Sequence, residues 1–326
     1  MRVMVTGGAG FIGSHYVRRV LGGAYSGYAG AEVVVLDRLS YAGREANLAD
    51  VSGSPRYHFV HGDIRDAALV NTLMAGVDVV VHFAAESHVD RSIVGAADFV
   101  STNVGGTQVL LQAAVDHGVG KFVHVSTDEV YGSIAEGSWT EECPVRPNSP
   151  YSASKAGSDL LARAYHRTHG LPVCITRCSN NYGPYQFPEK VIPLFLTNLL
   201  EGRKVPLYGD GLHVRDWLHV DDHCQGIQLV AERGRPGEIY NIGGGTELTN
   251  RRLTELLLEA TGHDWAMVEH VPDRKGHDRR YSLDTTKISN ELGYAPAVSF
   301  VEGIMGTVAW YRQRRDWWEP LRARAA

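Results

Sequence analysis

A doubly wound parallel α/β sheet, followed by a smaller mixed α/β lobe, is the fold class this sequence predicts. Three observations carry it. The chain opens on an apolar strand, a glycine turn and an amphipathic stretch. Strand-like and helix-like segments then alternate through the first half. One strand, residues 77–85, is an apolar run of the kind buried on both faces of a parallel sheet.

The first element is Val3-Met4-Val5, a short buried strand. Gly7, Gly10 and Gly13 follow, and then Phe11, Ile12, Val17, Val20 and Leu21 recur at helical spacing. Strand, glycine turn and helix N-terminus together make an anion site. Unpaired N–H groups and the positive dipole end meet there, and glycine lets a diphosphate approach the backbone. Glycine turns also arise for purely conformational reasons, so the next strand matters. Residues 32–37 end in Asp37, whose carboxylate can accept hydrogen bonds from an adenosine ribose and so favours NAD over NADP. Arg38 beside it would suit a 2′-phosphate, which Asp37 would repel.

The glycine-rich residues 22–30 are expected as a surface connection, and residues 45–48 as a short helix. Residues 57–64 form a third strand. Its Asp63-Ile64 lies where an adenine can be held, and Asp63 can also cap the helix at 66–74. The fourth strand ends in Ala84 and Ala85, small enough to leave room for a cofactor. Glu86-Ser87-His88-Val89-Asp90-Arg91-Ser92 follows at the strand's carboxyl end, where ligands of open α/β sheets gather. A long helix at 97–117, a strand at 121–127, a proline-bearing loop at 139–150, a helix at 152–169 and a strand at 173–177 complete the alternation. Beyond residue 184 the regularity breaks. Helices at 191–201, 221–232, 249–261 and 300–314 mix with short strands at 205–208, 238–242 and 266–270. We divide the chain into a dinucleotide-binding domain at 1–183 and a substrate lobe at 184–326, interleaved with it.

The bulk numbers bound the partners. With 326 residues there is ample core, and a net charge of −5 argues against a nucleic-acid-coating surface. No apolar run approaches the roughly 20 residues of a membrane span, and the opening run is too short for a signal peptide, so the cytoplasm is expected. The four cysteines read as free thiols, and the 15 histidines show no metal-ligand spacing, so no metal is expected.

Tyr151 and Lys155, at i and i+4, share one helix face. A tyrosine near an ammonium and a positive nicotinamide has its phenolate favoured, and can take a hydroxyl proton as hydride leaves the same carbon. Thr127, at a strand end, can bond that oxygen. Asp128-Glu129 follows at once. One could cap or pair while the other is solvated; the functional reading is a general acid and a general base for eliminating water, with pKa values pushed apart. Residues 273–281 mix Arg274, Lys275, Arg279 and Arg280 with Gly276, His277 and Tyr281, which suits a phosphate clamp better than a plain basic surface. Arg215 is a second candidate, or an ion-pair partner of Asp216 or Asp210. Asn180, Lys190 and Asn250 can add polar contacts, and Pro206 and Tyr208 suit part of a base pocket.

These residues resemble an extended short-chain dehydrogenase/reductase on a Rossmann fold. More narrowly, the chain resembles the dTDP-glucose 4,6-dehydratases, including those of actinomycete deoxysugar and antibiotic pathways. The motifs are residues 84–92, Ser126-Thr127-Asp128-Glu129-Val130-Tyr131-Gly132, Tyr151-Ser152-Ala153-Ser154-Lys155, Asn180-Asn181-Tyr182-Gly183-Pro184 and residues 273–281. The resemblance implies a closed redox cycle on dTDP-glucose. Tyr151 deprotonates the 4-hydroxyl as hydride passes to NAD, Glu129 takes the C5 proton, Asp128 protonates the departing C6 hydroxyl, hydride returns to C6 and a proton is added at C5. It implies that NAD is held by Gly7, Gly10, Phe11, Ile12, Gly13, Asp37, Arg38, Leu39, Ser40, Asp63, Ile64, Phe83, Ala84, Ala85, Thr102, Tyr151, Lys155 and Asn181. Substrate would meet Ser87, Thr127, Asn180, Lys190, Val191, Pro206, Tyr208, Arg215, Asn250, Arg274, His277 and Tyr281. It further implies a homodimer through a four-helix bundle of the helices at 97–117 and 152–169. The competing readings are a 4-epimerase on the same scaffold or a non-enzymatic NAD sensor, neither with a use for the Asp128-Glu129 pair, and a 4,6-dehydratase for another nucleotide sugar.

Overall fold

The computed structural model describes residues 1–325. In chain order the first half runs β1 (Arg2–Thr6), α1 (Phe11–Leu21), β2 (Glu32–Asp37), β3 (Tyr57–His61), α2 (Ala67–Met74), β4 (Val79–His82), α3 (Val89–Val94), α4 (Ala97–Phe99), α5 (Thr107–Asp116), β5 (Lys121–Thr127), α6 (Pro150–His169), β6 (Val173–Cys178) and β7 (Asn180–Tyr182). The second half runs α7 (Val191–Leu200), β8 (Val205–Tyr208), β9 (Val214–His219), α8 (Val220–Arg233), β10 (Ile239–Ile242), β11 (Glu247–Thr249), α9 (Asn250–Thr261), β12 (Val268–Val271), α10 (Thr286–Leu292), α11 (Phe300–Gln313) and α12 (Arg315–Ala325).

Seven strands form one sheet in the order β10-β6-β5-β4-β1-β2-β3, every neighbour parallel. The order reverses beside β1, between β2 and β4, which opens a crevice at the carboxyl ends of these strands. Alternate residues of each strand enter two cores. Val3, Val5, Val33, Val35 and Val81 pack on one face with α1 and α8 residues such as Val17 and Ile227. Met4, Leu36, Val80 and Phe122 pack on the other with Leu110 and Leu111 of α5 and Ala162 of α6. Both faces are therefore buried, which is why β4 reads as an unbroken apolar run.

A third core, with Phe195, Leu199, Trp217, Leu253, Tyr311 and Trp318, belongs to the second lobe. That lobe carries two small sheets, β11-β9-β7 and β12-β8. The seventh strand of the main sheet, β10, comes from the same half of the chain, so the two parts share a sheet.

Three local expectations need correction. Residues 22–30 are more than a surface connection: Tyr25 and Tyr28 are buried there, and Tyr25 packs 5.8 Å from Tyr16. The long helix at 97–117 is interrupted by a π-helical stretch, Val100–Gly106, and π-helical turns often mark functional sites. Helix α6 begins at Pro150, not at 152: Ser149 and Ser152 form a reciprocal cap, and proline suits the first helical position. Strands β7, β9 and β11 and helices α10 and α12 lack a sequence expectation. β7 and β11 are three residues each, and α12 carries Pro320 inside it.

Candidate active site

One cavity of about 470 Å³ runs along the carboxyl ends of the sheet strands and under the second lobe. Every residue proposed for the site lines it except Leu39 and Tyr281.

At one end lies the glycine turn. Gly7 has φ +69°, and a Cβ there would sit 2.6 Å from the Ala84 nitrogen. A Cβ on Gly13 would sit 2.3 Å from the Gly7 carbonyl oxygen, so only glycine allows α1 to start this close to β1. Gly10 caps α1 without a side-chain hydrogen bond, and its first turn carries no acidic residue. The helix N–H groups are thus left to an anion. Asp37 accepts from the Ala9 N–H at 2.9 Å and from the Leu39 N–H at 2.8 Å, which sets the carboxylate at the end of β2. Leu39 lies off the cavity wall; its part is this backbone bond, made at φ +51°. Arg38 is ion-paired with Glu86 and, at 3.5 Å, with Asp63. Two carboxylates claim the guanidinium that a 2′-phosphate would need. Ala84, Ala85, Phe83 and Thr102 continue the wall, and the buried Thr102 hydroxyl has no protein partner. Such an end fits a dinucleotide of the NAD type.

The centre is built by β5 and α6. Thr127 ends β5 and accepts from the Glu129 N–H at 3.3 Å, capping a short turn, Asp128–Tyr131. That cap places both carboxyls in the cavity wall. Burial, then Glu129 and Asp216, push the Asp128 carboxyl well above its ordinary value. Burial raises Glu129 too, but Arg274, Lys190 and Arg215 oppose it. Facing them are Tyr151 and Lys155 on the first turns of α6. Burial, then Glu129 and Cys178, push the Tyr151 phenol well above its ordinary range.

Lys155 donates to the Val125 carbonyl at 2.8 Å. Burial lowers it to about 8, against the charge of Asp159 one turn further on. Asp159 is itself held at 2.9 Å by Arg177 and at 3.3 Å by His124, all three buried. Burial alone would raise Asp159; the Arg177 guanidinium, with help from His124, holds it at about 2. Sequence reading missed this carboxylate, although Tyr151, Lys155 and Asp159 recur every four residues on one helix face.

The far end is lined by long side chains from the second lobe. Lys190 donates to the Ser87 carbonyl at 2.7 Å, tying the loop after β4 to the start of α7. Arg215 bonds the Val214 and Asp278 carbonyls at 2.7 and 2.9 Å. It pairs with neither Asp216 nor Asp210 among the described ion pairs; Asp210 holds Arg279, and Asp216 binds the Gly244 and Thr246 N–H groups. Tyr281 departs from its expected substrate contact. Its ring lies 4.3 Å from the Arg215 guanidinium and its hydroxyl donates to Asp278 at 2.7 Å, so it supports Arg215 from behind. Arg274 lies 3.5 Å from Asp90. Asn180, Val191, Pro206, Tyr208 and Asn250 complete this wall.

His277 also lines the cavity and stacks on His213, with ring centroids 3.7 Å apart and planes 13° apart. Asp273 lies 2.6 Å from one ring and 3.2 Å from the other. Donor atoms of these three lie within 4.8 Å of one another, near enough for a metal ion. Spacing in the sequence gave no hint of it, since His213 lies far from the other two. Parallel rings aim their nitrogens side by side and not toward one point, and Arg215, Arg274 and Arg279 surround the cluster, so it suits a hydrogen-bonded stack better than a cation.

A model of the GDP-mannose 4,6 dehydratase family matches residues 4–307. The chain is 65% identical over 327 residues to a dTDP-glucose 4,6-dehydratase of Streptomyces antibioticus, covering 100% of this chain and 97% of that one. It is 62% identical to the dTDP-glucose 4,6-dehydratase of Streptomyces niveus, over 99% of this chain and 96% of that one. Among solved structures it is similar to DesIV, a dTDP-glucose 4,6-dehydratase from Streptomyces venezuelae with NAD and dTDP bound. That match has a TM-score of 0.98 and 68% identity, over 98% of this chain and 100% of that one. A UDP-glucose 4-epimerase of Thermotoga maritima matches with a TM-score of 0.88 and 35% identity, over 96% and 99%.

Proposed function

We propose the reaction from one premise: the chain belongs to the GDP-mannose 4,6 dehydratase family. Within it, the chain acts as a dTDP-glucose 4,6-dehydratase, an NAD-dependent hydro-lyase that forms dTDP-4-keto-6-deoxyglucose and water. Bound NAD supplies the redox chemistry, accepting hydride from glucosyl C4 and returning it to C6. Gly7, Gly10 and Gly13 hold its diphosphate and Asp37 its adenosine ribose.

Tyr151 takes the proton of the C4 hydroxyl, and the Thr127 hydroxyl bonds the same oxygen. The Lys155 ammonium, below its value of about 8, favours the phenolate that Tyr151 passes through. Glu129 then removes the C5 proton, made acidic by the new ketone, and gives a proton back to C5 as hydride reaches C6. Asp128 protonates the C6 hydroxyl as water leaves. Arg215, Arg274, Lys190 and His277 hold the nucleotide diphosphate and sugar, and Tyr208 and Pro206 flank the base.

The observation that carries this reading is the split of the carboxyl pair. Burial raises both carboxyls, Asp128 the further and toward the neutral form an acid needs, while Arg274, Lys190 and Arg215 offset part of the rise at Glu129. An epimerase on the same scaffold needs only Tyr151, Lys155 and NAD. The test is to supply dTDP-glucose deuterated at C4. The label should reappear at C6 of the product; label in free NADH, or a product retaining its C6 oxygen, would overturn the reading.

We also propose a homodimer through the outer faces of α4, α5 and α6. Val94, at the end of α3 beside this face, and Val100, in the π-helical stretch between α4 and α5, are 92% and 54% exposed, and Leu160 on α6 is 54% exposed. Light scattering should give twice the chain mass, and Leu160→Glu should lower it. Among the described residues no helix is long and apolar enough to cross a membrane; with a nucleotide sugar as substrate, we place the enzyme in the cytoplasm.

A further inference from the structure

The chemistry of a closed redox cycle makes an unusual demand on the cofactor site. NAD must stay through oxidation, dehydration and reduction, and its diphosphate is gripped by backbone with no side-chain charge. A grip of that kind is only as good as the shape of the turn. A glycine-rich turn has much conformational freedom to lose, so whatever holds it in shape before binding raises affinity.

We propose that Trp317, on the C-terminal helix α12, is a positioning residue for NAD, acting through Asn47 on the glycine turn. The connection is a chain of hydrogen bonds. The Trp317 indole N–H donates to Asn47 Oδ1 at 2.8 Å, and the Asn47 Nδ2–H donates to the Ala9 carbonyl at 2.9 Å. Ala9 lies between Gly7 and Gly10, off the cavity wall, and its own N–H donates to Asp37 Oδ2 at 2.9 Å. The turn and the ribose carboxylate are therefore held from behind by one continuous set of partners. Trp317, Asn47 and Ala9 are 4%, 2% and 0% exposed, so no water competes for these bonds.

Asn47 is a junction and not a passing contact. Its main-chain N–H donates to the Arg44 carbonyl at 3.0 Å, its main-chain carbonyl accepts from Arg18 on α1, and the Arg44 N–H joins it on the Ala9 carbonyl at 3.0 Å. A second route reaches the same helix. The Trp317 ring meets Tyr185 edge-on at 5.6 Å, and the Arg18 guanidinium lies 4.4 Å from the other partner in that contact, the Tyr185 ring. Trp318 anchors α12 by a different bond, from its indole N–H to the Tyr311 carbonyl at 2.7 Å, wholly within the second lobe. The adjacent tryptophans thus divide the labour: Trp318 secures the helix and Trp317 reaches the cofactor turn.

This inference rests on NAD lying at the glycine turn, and the test separates the two. Trp317→Phe keeps a ring against Tyr185 and removes the N–H; Trp318→Phe removes an N–H that does not reach the turn. NAD dissociation is measured by displacement of bound cofactor with labelled NAD, beside Tm and kcat at saturating NAD. Trp317→Phe should release NAD about fivefold to tenfold faster, the size expected from one buried hydrogen bond and its orphaned acceptor, with kcat unchanged. Trp318→Phe should lower Tm at least as much and leave NAD release as in the parent. Equal release from Trp317→Phe and the parent overturns the inference, as does equal acceleration by Trp318→Phe. A parent that binds no NAD overturns the cofactor reading beneath it.

Discussion

The cofactor end of the cavity is walled by backbone and small side chains at consecutive strand ends, whereas the substrate end is walled by long charged side chains from segments far apart in the chain. The two ends therefore break in opposite ways. At Gly7 and Gly13 an added methyl meets backbone atoms at 2.6 and 2.3 Å, so the cofactor end fails when atoms are added. At Arg215, Arg274 and Lys190 the wall is charge held by hydrogen bonds to carbonyls and carboxylates, so the substrate end fails when atoms are removed. Between them lies a centre where Asp128, Tyr151 and Lys155 are buried and Glu129 half-buried beside them, and each alters its neighbours' protonation.

The largest effect is expected at that centre. Glu129→Gln should cut formation of the 6-deoxy product by about 10²–10⁴-fold, the usual worth of a general base, with NAD and substrate still bound. Normal product formation would break the acid/base assignment. Next comes the cofactor end: Gly13→Ala forces the turn apart at a cost of about 1–3 kcal/mol. It should show as loss of copurified NAD with little change in substrate affinity once NAD is in excess. At the substrate end, Arg274→Ala should raise KM for dTDP-glucose about tenfold or more, as expected for a lost charge-assisted contact, and leave NAD retention alone. If Gly13→Ala moved substrate KM, or Arg274→Ala moved NAD release, the division into two ends would fail.

The smallest effect is a displacement of the pH profile. Burial lowers Lys155 to about 8, so its ammonium is present below that pH and lost as pH rises through it. Turnover should fall along an alkaline limb there. Asp159 favours the ammonium, so Asp159→Asn should move the limb to lower pH. A limb that stays in place would show that Lys155 is not the titrating group. The same variant leaves Arg177 without its carboxylate, and some loss of Tm is expected beside the shift.

Much of the cofactor end was legible because its information is local. Gly7 to Gly13 lie on one turn, Asp37 ends the next strand, and Ala84 and Ala85 end another. Tyr151 with Lys155, and Thr127 with Asp128 and Glu129, are likewise close in the chain, and were assigned from spacing together with the glycine turn before them and the family resemblance. Tyr281 was placed in contact with substrate by resemblance, as the last residue of the motif at 273–281. Folding turns that ring under Arg215, since the Asp278 carboxylate holds its hydroxyl. Asp159 was overlooked because a lone acidic residue mid-helix reads as solvated; only the approach of β5 and β6 brings His124 and Arg177 to it.

By itself, the sequence determined the doubly wound sheet and pointed to the nucleotide turn and a candidate acid/base pair, since periodicity, glycine spacing and adjacent side chains are properties of short stretches. Tertiary structure alone decided the rest. Whether Asp128 is more neutral than Glu129 depends on which cations and carboxylates fold up beside each. That Arg38 is neutralised depends on Glu86 and Asp63 converging on it. That the last helix braces the first turn depends on Trp317 meeting Asn47. Protonation and preorganisation are set by burial and by charges within a few ångströms, and those distances exist only once segments remote in the chain have packed together.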